Sequence, residues 1–179
     1  LGNNYDVRKF CHALKIDEDV LAYLRELSYL EAKNCREDDV YWSYLCEEDE
    51  LAKDEKVADV YAHYQKAVHD GLKKGFDERG IRFYFSPTAG PTDGSIERGI
   101  PTLERYIKSG KKLGLTYDFV CVHMAWSIDE ASVASYTDRE TNHADIKEML
   151  ARNGMDDAPF MQPETFYLLQ QYIPEWDSI

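Results

Sequence analysis

Cysteine is scarce: four in 179 residues, at Cys11, Cys35, Cys46 and Cys121. No pair has C-x-x-C spacing and no histidine falls at ligand spacing, which argues against a zinc site. The density is too low for a disulfide scaffold, so reduced thiols are the expectation. No apolar run reaches the roughly 18 residues of a membrane-spanning helix. The phosphate-binding patterns GxGxxG and GxxxxGK[ST], the serine-hydrolase elbow GxSxG and the EF-hand spacing are all missing. No metal and no cofactor is therefore expected. Basic residues are outnumbered 21 to 34, the net charge is −13, and no basic patch stands out. Nucleic acid and acidic membranes are poor partners for such a chain. No signal peptide is visible, which leaves the localisation open. The first residue is Leu1 rather than Met, so a processed, truncated or partial polypeptide is expected.

What is present is core material. Hydrophobic residues make up 44% and aromatics 13%, enough for one folded domain over residues 1–179. Val20, Leu24, Leu27 and Leu30 recur at three- and four-residue spacing and predict a helix over 17–34, capped by Asp17. The stripe Val57, Val60, Tyr61, Tyr64, Ala67, Val68 and Leu72 predicts a second over 54–74, with Gly71 and Gly75 as its stop. Leu103, Tyr106 and Ile107 mark a third, ending near Gly110 or Gly114. Ile146, Met149 and Leu150 mark a fourth over about 139–152, stopped by Gly154. Between them lie strand-like runs at 40–45, 81–85, 117–123 and 159–162. The order is a helix and then alternating strands and helices, which implies an α/β fold with parallel strands.

In parallel β/α folds the site gathers at the carboxyl ends of the strands. There the sequence puts the acids of YWSYLCEEDE, a Pro- and Gly-rich loop at 86–101, His123 with Trp126, and Glu164. Two carboxylates facing a sugar suit glycoside hydrolysis, one protonated to assist the leaving oxygen and one ionised to attack. A tryptophan beside them offers a stacking face for a pyranose ring. Each residue also has a plainer reading. Glu47 fits a solvated acid at a helix N-terminus, and Glu164 fits a strand-end acid after Pro163. His123 fits a satisfied core histidine, and Trp126 fits core packing. His12, His63, His69 and His143 read as surface or helix-face residues.

The order of these pieces resembles the C-terminal half of a retaining glycoside hydrolase of the large (β/α)8 clan, nearest the β-xylosidase and α-iduronidase group. The run Trp42–Asp49, WSYLCEED, is similar to the W-x-x-x-N-E-P-D motif that ends the family's fourth strand. The resemblance gives Glu47 the acid/base position. FYFSPTAGP looks like the fifth strand, and YDFVCVHMAW looks like the sixth, with His123 matching the active-site histidine. ADIKEMLARNGMDDAPFMQPETF looks like the helix and seventh strand, with Glu164 at the nucleophile position. The resemblance covers roughly residues 38–170. It implies a partial (β/α)8 TIM barrel of about four parallel strands, four to seven of the family, preceded by an N-terminal helix. His123, Trp126 and Cys46 would contact a carbohydrate substrate.

The sequence departs from that pattern in places. Cys46 replaces the family's asparagine, Glu48 replaces its proline, and Ala125 stands where H-x-Y has tyrosine. A thiol is a weak substitute for an amide that hydrogen-bonds a sugar hydroxyl. A full barrel takes about 250 residues. Another chain or a missing segment is therefore expected to complete it, because a half barrel leaves open edges. The alternatives are a catalytically degenerate carbohydrate-binding or scaffold relative, and an α/β interaction protein with no sugar role.

Overall fold

Asp17 does start the helix that the apolar spacing predicts. Its carboxylate accepts a hydrogen bond from the Val20 amide at 3.2 Å, occupying one of the first turn's unpaired donors. In the computed structural model, which describes residues 4–36, 39–43, 54–87, 99–121 and 139–161, this is helix α2, Glu18–Asn34. Helix α1, Asn4–His12, precedes it and was not expected. Val7 and Cys11, one helical turn apart, are both buried. Strand β1, Asp39–Ser43, leads to α3, Glu55–Asp77, and then to β2, Arg82–Ser86. Helix α4, Gly99–Lys112, strand β3, Val120–Cys121, helix α5, Arg139–Arg152, and strand β4, Phe160–Met161, complete the order.

The core is built around α3. Tyr61, Tyr64, Val68, Leu72 and Phe76 are buried along its length. Helix α2 lies against it on Leu21, Leu24, Ser28 and Ala32. Gly71 and Gly75 do not end α3; they lie inside it and let α2 approach. A Cβ at Gly71 would run into the Arg25 carbonyl oxygen and come within 2.9 Å of the Ser28 Cβ. One at Gly75 would lie 2.6 Å from the Ala32 Cβ. Tyr64 ties the turn between α1 and α2 to α3. Its hydroxyl donates to the Lys15 carbonyl at 2.9 Å and accepts from the Asp17 amide at 3.1 Å. The actual helix stops include Gly114 and Gly154, at φ +77° and +64°, where a residue without Cβ is favoured.

Helix α5 turns Ile146, Met149 and Leu150 inward, as the spacing predicts. It is joined to α4 by Glu104, which accepts from Arg152 at 3.0 and 3.1 Å and from the Asn153 amide at 3.0 Å. Helices α3 and α4 are joined by Asp59, which accepts from Ser109 at 2.6 Å and from Lys112 at 2.9 Å.

The expected partial (β/α)8 barrel is not what forms. The described chain is mainly helical, with helices of 9, 17, 23, 14 and 14 residues. The strands are short, of 5, 5, 2 and 2 residues. They make two separate parallel pairs, β1 with β2 and β3 with β4, and not one four-stranded wall. Barrel strands need a continuous ladder of backbone bonds. Between β2 and the approach to β3 the described contact is instead a local one, at Asp118. The Phe85 amide donates to the Asp118 carboxylate at 2.9 Å, and the Phe85 carbonyl accepts from the Asp118 amide at 2.9 Å. A side chain thus takes the donor that a third strand's carbonyl would have used.

Candidate functional site

Parallel pairing fixes which ends of the strands lie together. In the first pair Val40 is opposite Phe83 and Ser43 is opposite Ser86, so both strands finish at one end. In the second pair Val120 is opposite Phe160 and Cys121 is opposite Met161. Polar groups gather below the finish of β2. Gln65, on α3, is buried, and its Nε2 donates to the Pro87 carbonyl just past the strand. Its Oε1 accepts from the Tyr117 hydroxyl at 2.6 Å. The Tyr117 ring stacks on Phe85, with centroids 6.0 Å apart, and burial pushes its phenol well above the usual tyrosine range. Ser86 is buried in the same place.

This arrangement holds the chain where it leaves β2. The Gln65 amide donates to the Pro87 carbonyl, and Tyr117 donates to the Gln65 side-chain oxygen in turn. Both residues come from elements on either side of the strand, so three segments share one polar anchor. Its chemistry is positional: an amide and a neutral phenol neither attack nor transfer protons near pH 7. The sequence did carry a signal for Gln65. It sits one turn after Tyr61 and before Val68 in the apolar stripe of α3, a polar residue on the buried face. In the sequence Tyr117 reads only as the first residue of a strand.

Histidine His69 is also more enclosed than a surface reading suggests. Its ring meets Phe85 edge-on at 4.9 Å and lies 5.9 Å from Phe83. Beside it, burial works to raise the Asp70 carboxyl, but hydrogen bonds from His69 and Lys66 outweigh it and hold the pKa below the usual range.

The residues expected to do chemistry lie outside the described residues: Cys46 and Glu47, His123 and Trp126, and Glu164. Their positions in the chain are nonetheless informative. Glu47 is four residues past Ser43, the last of β1, and His123 is two past Cys121, the last of β3. Glu164 is three past Met161, the last of β4. A cavity of about 270 Å³ opens elsewhere, lined by Glu55, Pro101, Glu104, Arg105, Lys108 and Ser109. Helices alone wall it, and no strand residue contributes. Among the described residues no helix is long and apolar enough to cross a membrane.

No family model matches the chain, and neither the curated proteins nor the solved structures include one significantly similar to it.

Proposed function

We propose that the chain cleaves glycosidic bonds with retention of configuration, using Glu164 as nucleophile and Glu47 as acid/base. The reading is supported by the chain order, in which each glutamate follows within a few residues the end of a parallel-paired strand, Glu47 after β1 and Glu164 after β4. In the first step the Glu164 carboxylate forms a bond to the anomeric carbon while Glu47 gives its proton to the departing oxygen. In the second, Glu47 takes a proton from water, the hydroxide displaces Glu164, and the sugar leaves. The two carboxyls must stand about 5–5.5 Å apart for this route. His123 and Trp126 would bind the sugar, by hydrogen bond and by ring stacking. No cofactor enters either step.

A panel of aryl glycosides tests the proposal, read by release of the phenol. Turnover that disappears in Glu164→Gln supports it; no turnover on any member contradicts it. One residue favours a second reading. Cys46, in place of an amide, weakens the grip on a sugar hydroxyl. A protein that binds oligosaccharide without cleaving it would fit that reading instead.

A further inference from the structure

Helix α2 has a second apolar stripe beside the one it buries on α3, with Val20 at its edge already partly packed against the core. Val20, Tyr23, Leu27 and Leu30 follow one another at spacings of three, four and three, with Asn34 four further on. This is the alternation of a coiled-coil seam, with Val20, Leu27 and Asn34 at a positions and Tyr23 and Leu30 at d. The a residues Val20 and Leu27 are half-buried, while the d residues are left in water, Tyr23 59% and Leu30 48% exposed. Leu14 and Ile16, just before the N-cap, are exposed by 49% and 41%. These four are the large hydrophobic residues in water among the described residues, and all lie within or next to this one helix.

We infer that this face binds a second copy of the chain, with the two α2 helices packed antiparallel. The charges select both partner and direction. In an antiparallel pair a layers face d layers, so Val20 meets Leu30 of the second copy and Tyr23 meets its Leu27. Each half-buried residue then covers an exposed one. The g positions beside the seam are Asp19, Glu26 and Lys33. Antiparallel packing puts Asp19 opposite Lys33 of the other copy, twice by symmetry, with Glu26 facing itself once at the axis. Parallel packing would put Glu26 opposite Glu31 twice and lose both attractive pairs. Lys33 also pairs at 3.1 Å with Glu78, just past the end of α3, an exposed pair that Asp19 of the second copy would share or displace. The other flank of the seam is turned towards α3, where Leu24 is buried. The surface therefore presents two ends of opposite charge around an apolar centre, a pattern that complements itself when reversed.

Sedimentation velocity on the full chain over a wide concentration range tests this. The expected result is a monomer–dimer equilibrium that Leu30→Glu abolishes. Asp19→Lys should weaken it by about tenfold, since it turns both attractive pairs repulsive at roughly 1 kcal/mol or less each. Adding Lys33→Asp to that variant should restore the dimer. If circular dichroism shows Leu30→Glu unfolded, the exposed Tyr23→Ser replaces it. A chain that stays monomeric at every concentration overturns the inference. So does a dimer indifferent to folded Leu30→Glu or Tyr23→Ser, or one that the Asp19→Lys, Lys33→Asp pair fails to restore.

Discussion

The Tyr117 hydroxyl and the Gln65 side-chain oxygen share a hydrogen bond of 2.6 Å in the buried interior, where no water competes for either group. Removing one partner leaves the other stranded. Tyr117→Phe is expected to destabilise the fold by about 1–3 kcal/mol, the range for orphaning a buried polar group. Urea unfolding measures it. The double variant Tyr117→Phe, Gln65→Leu should cost less than the sum of the single changes, because both remove one shared contact.

The close approach of α2 and α3 gives a second prediction. An exposed glycine inside a helix would gain up to about 1 kcal/mol on replacement by alanine. At Gly71 the new methyl would meet the Arg25 carbonyl and Ser28, and the backbone cannot step aside without separating the helices. Gly71→Ala is therefore expected to destabilise by about 1–3 kcal/mol, the usual range for overpacking. Gly80→Ala makes a contrasting control: no atom is near its Cβ position, and the strain comes only from φ +69°. A lower thermal midpoint for Gly71→Ala with a smaller change for Gly80→Ala would confirm that steric contact is the cause; equal changes would contradict it.

Glu104 predicts a pH dependence. Hydrogen bonds from Arg152, and then from Asn153 and Lys108, outweigh burial and hold its carboxyl at about 2, against an ordinary 4.5. The folded protein thus binds fewer protons here than the unfolded one. The stabilisation is complete above about 4.5 and fades as the pH falls towards about 2. The partly solvated setting of the cluster reduces it to about 1 kcal/mol. Unfolding free energies of the wild type and Glu104→Gln, measured from near-neutral to acid pH, should converge in that window. A constant gap between the two curves would contradict the assignment.

Tyr64→Phe should loosen the turn between α1 and α2, since it removes the donor to Lys15 and the acceptor for Asp17 together. A loss of about 1–2 kcal/mol is expected. Hydrogen exchange should show it most strongly at the amides of residues 15–20.

Four of the helices can be read in the sequence, α2 and α3 from apolar stripes long enough to repeat, α4 and α5 from a single apolar turn followed by a glycine stop. Helix α1 has the same single turn, Val7, Phe10 and Cys11, but no glycine after it; Leu14 takes the positive φ there, +52°. Gly71 and Gly75 read as a helix stop but lie inside α3, since local pattern cannot distinguish a stop from a place where another element touches. Gly110 packs on Tyr117, with the site of its missing Cβ 2.7 Å from the tyrosine Cζ. The parallel direction of the strands followed from their alternation with helices. Their separation into two pairs did not follow, because which strands pair is set by contacts between segments far apart in the chain, as Asp118 and Phe85 are, 33 residues apart. Of the site, the sequence named glutamates just after strand ends, but not the Gln65–Tyr117 anchor. Gln65 stands out as a polar residue on the apolar stripe of α3, but its partners, Pro87 and Tyr117, are 22 and 52 residues away and show only in the fold.

Glu47 and Glu164 carry the central claim, and the comparison that tests it most directly is aryl glycoside turnover as a function of leaving group. Glu47→Ala should still release a good leaving group, such as a nitrophenol, that needs no protonation, while losing activity on poor ones. Glu164→Ala should lose activity on all of them, because the attacking oxygen is gone. Equal turnover by Glu164→Ala and the wild type would contradict the account.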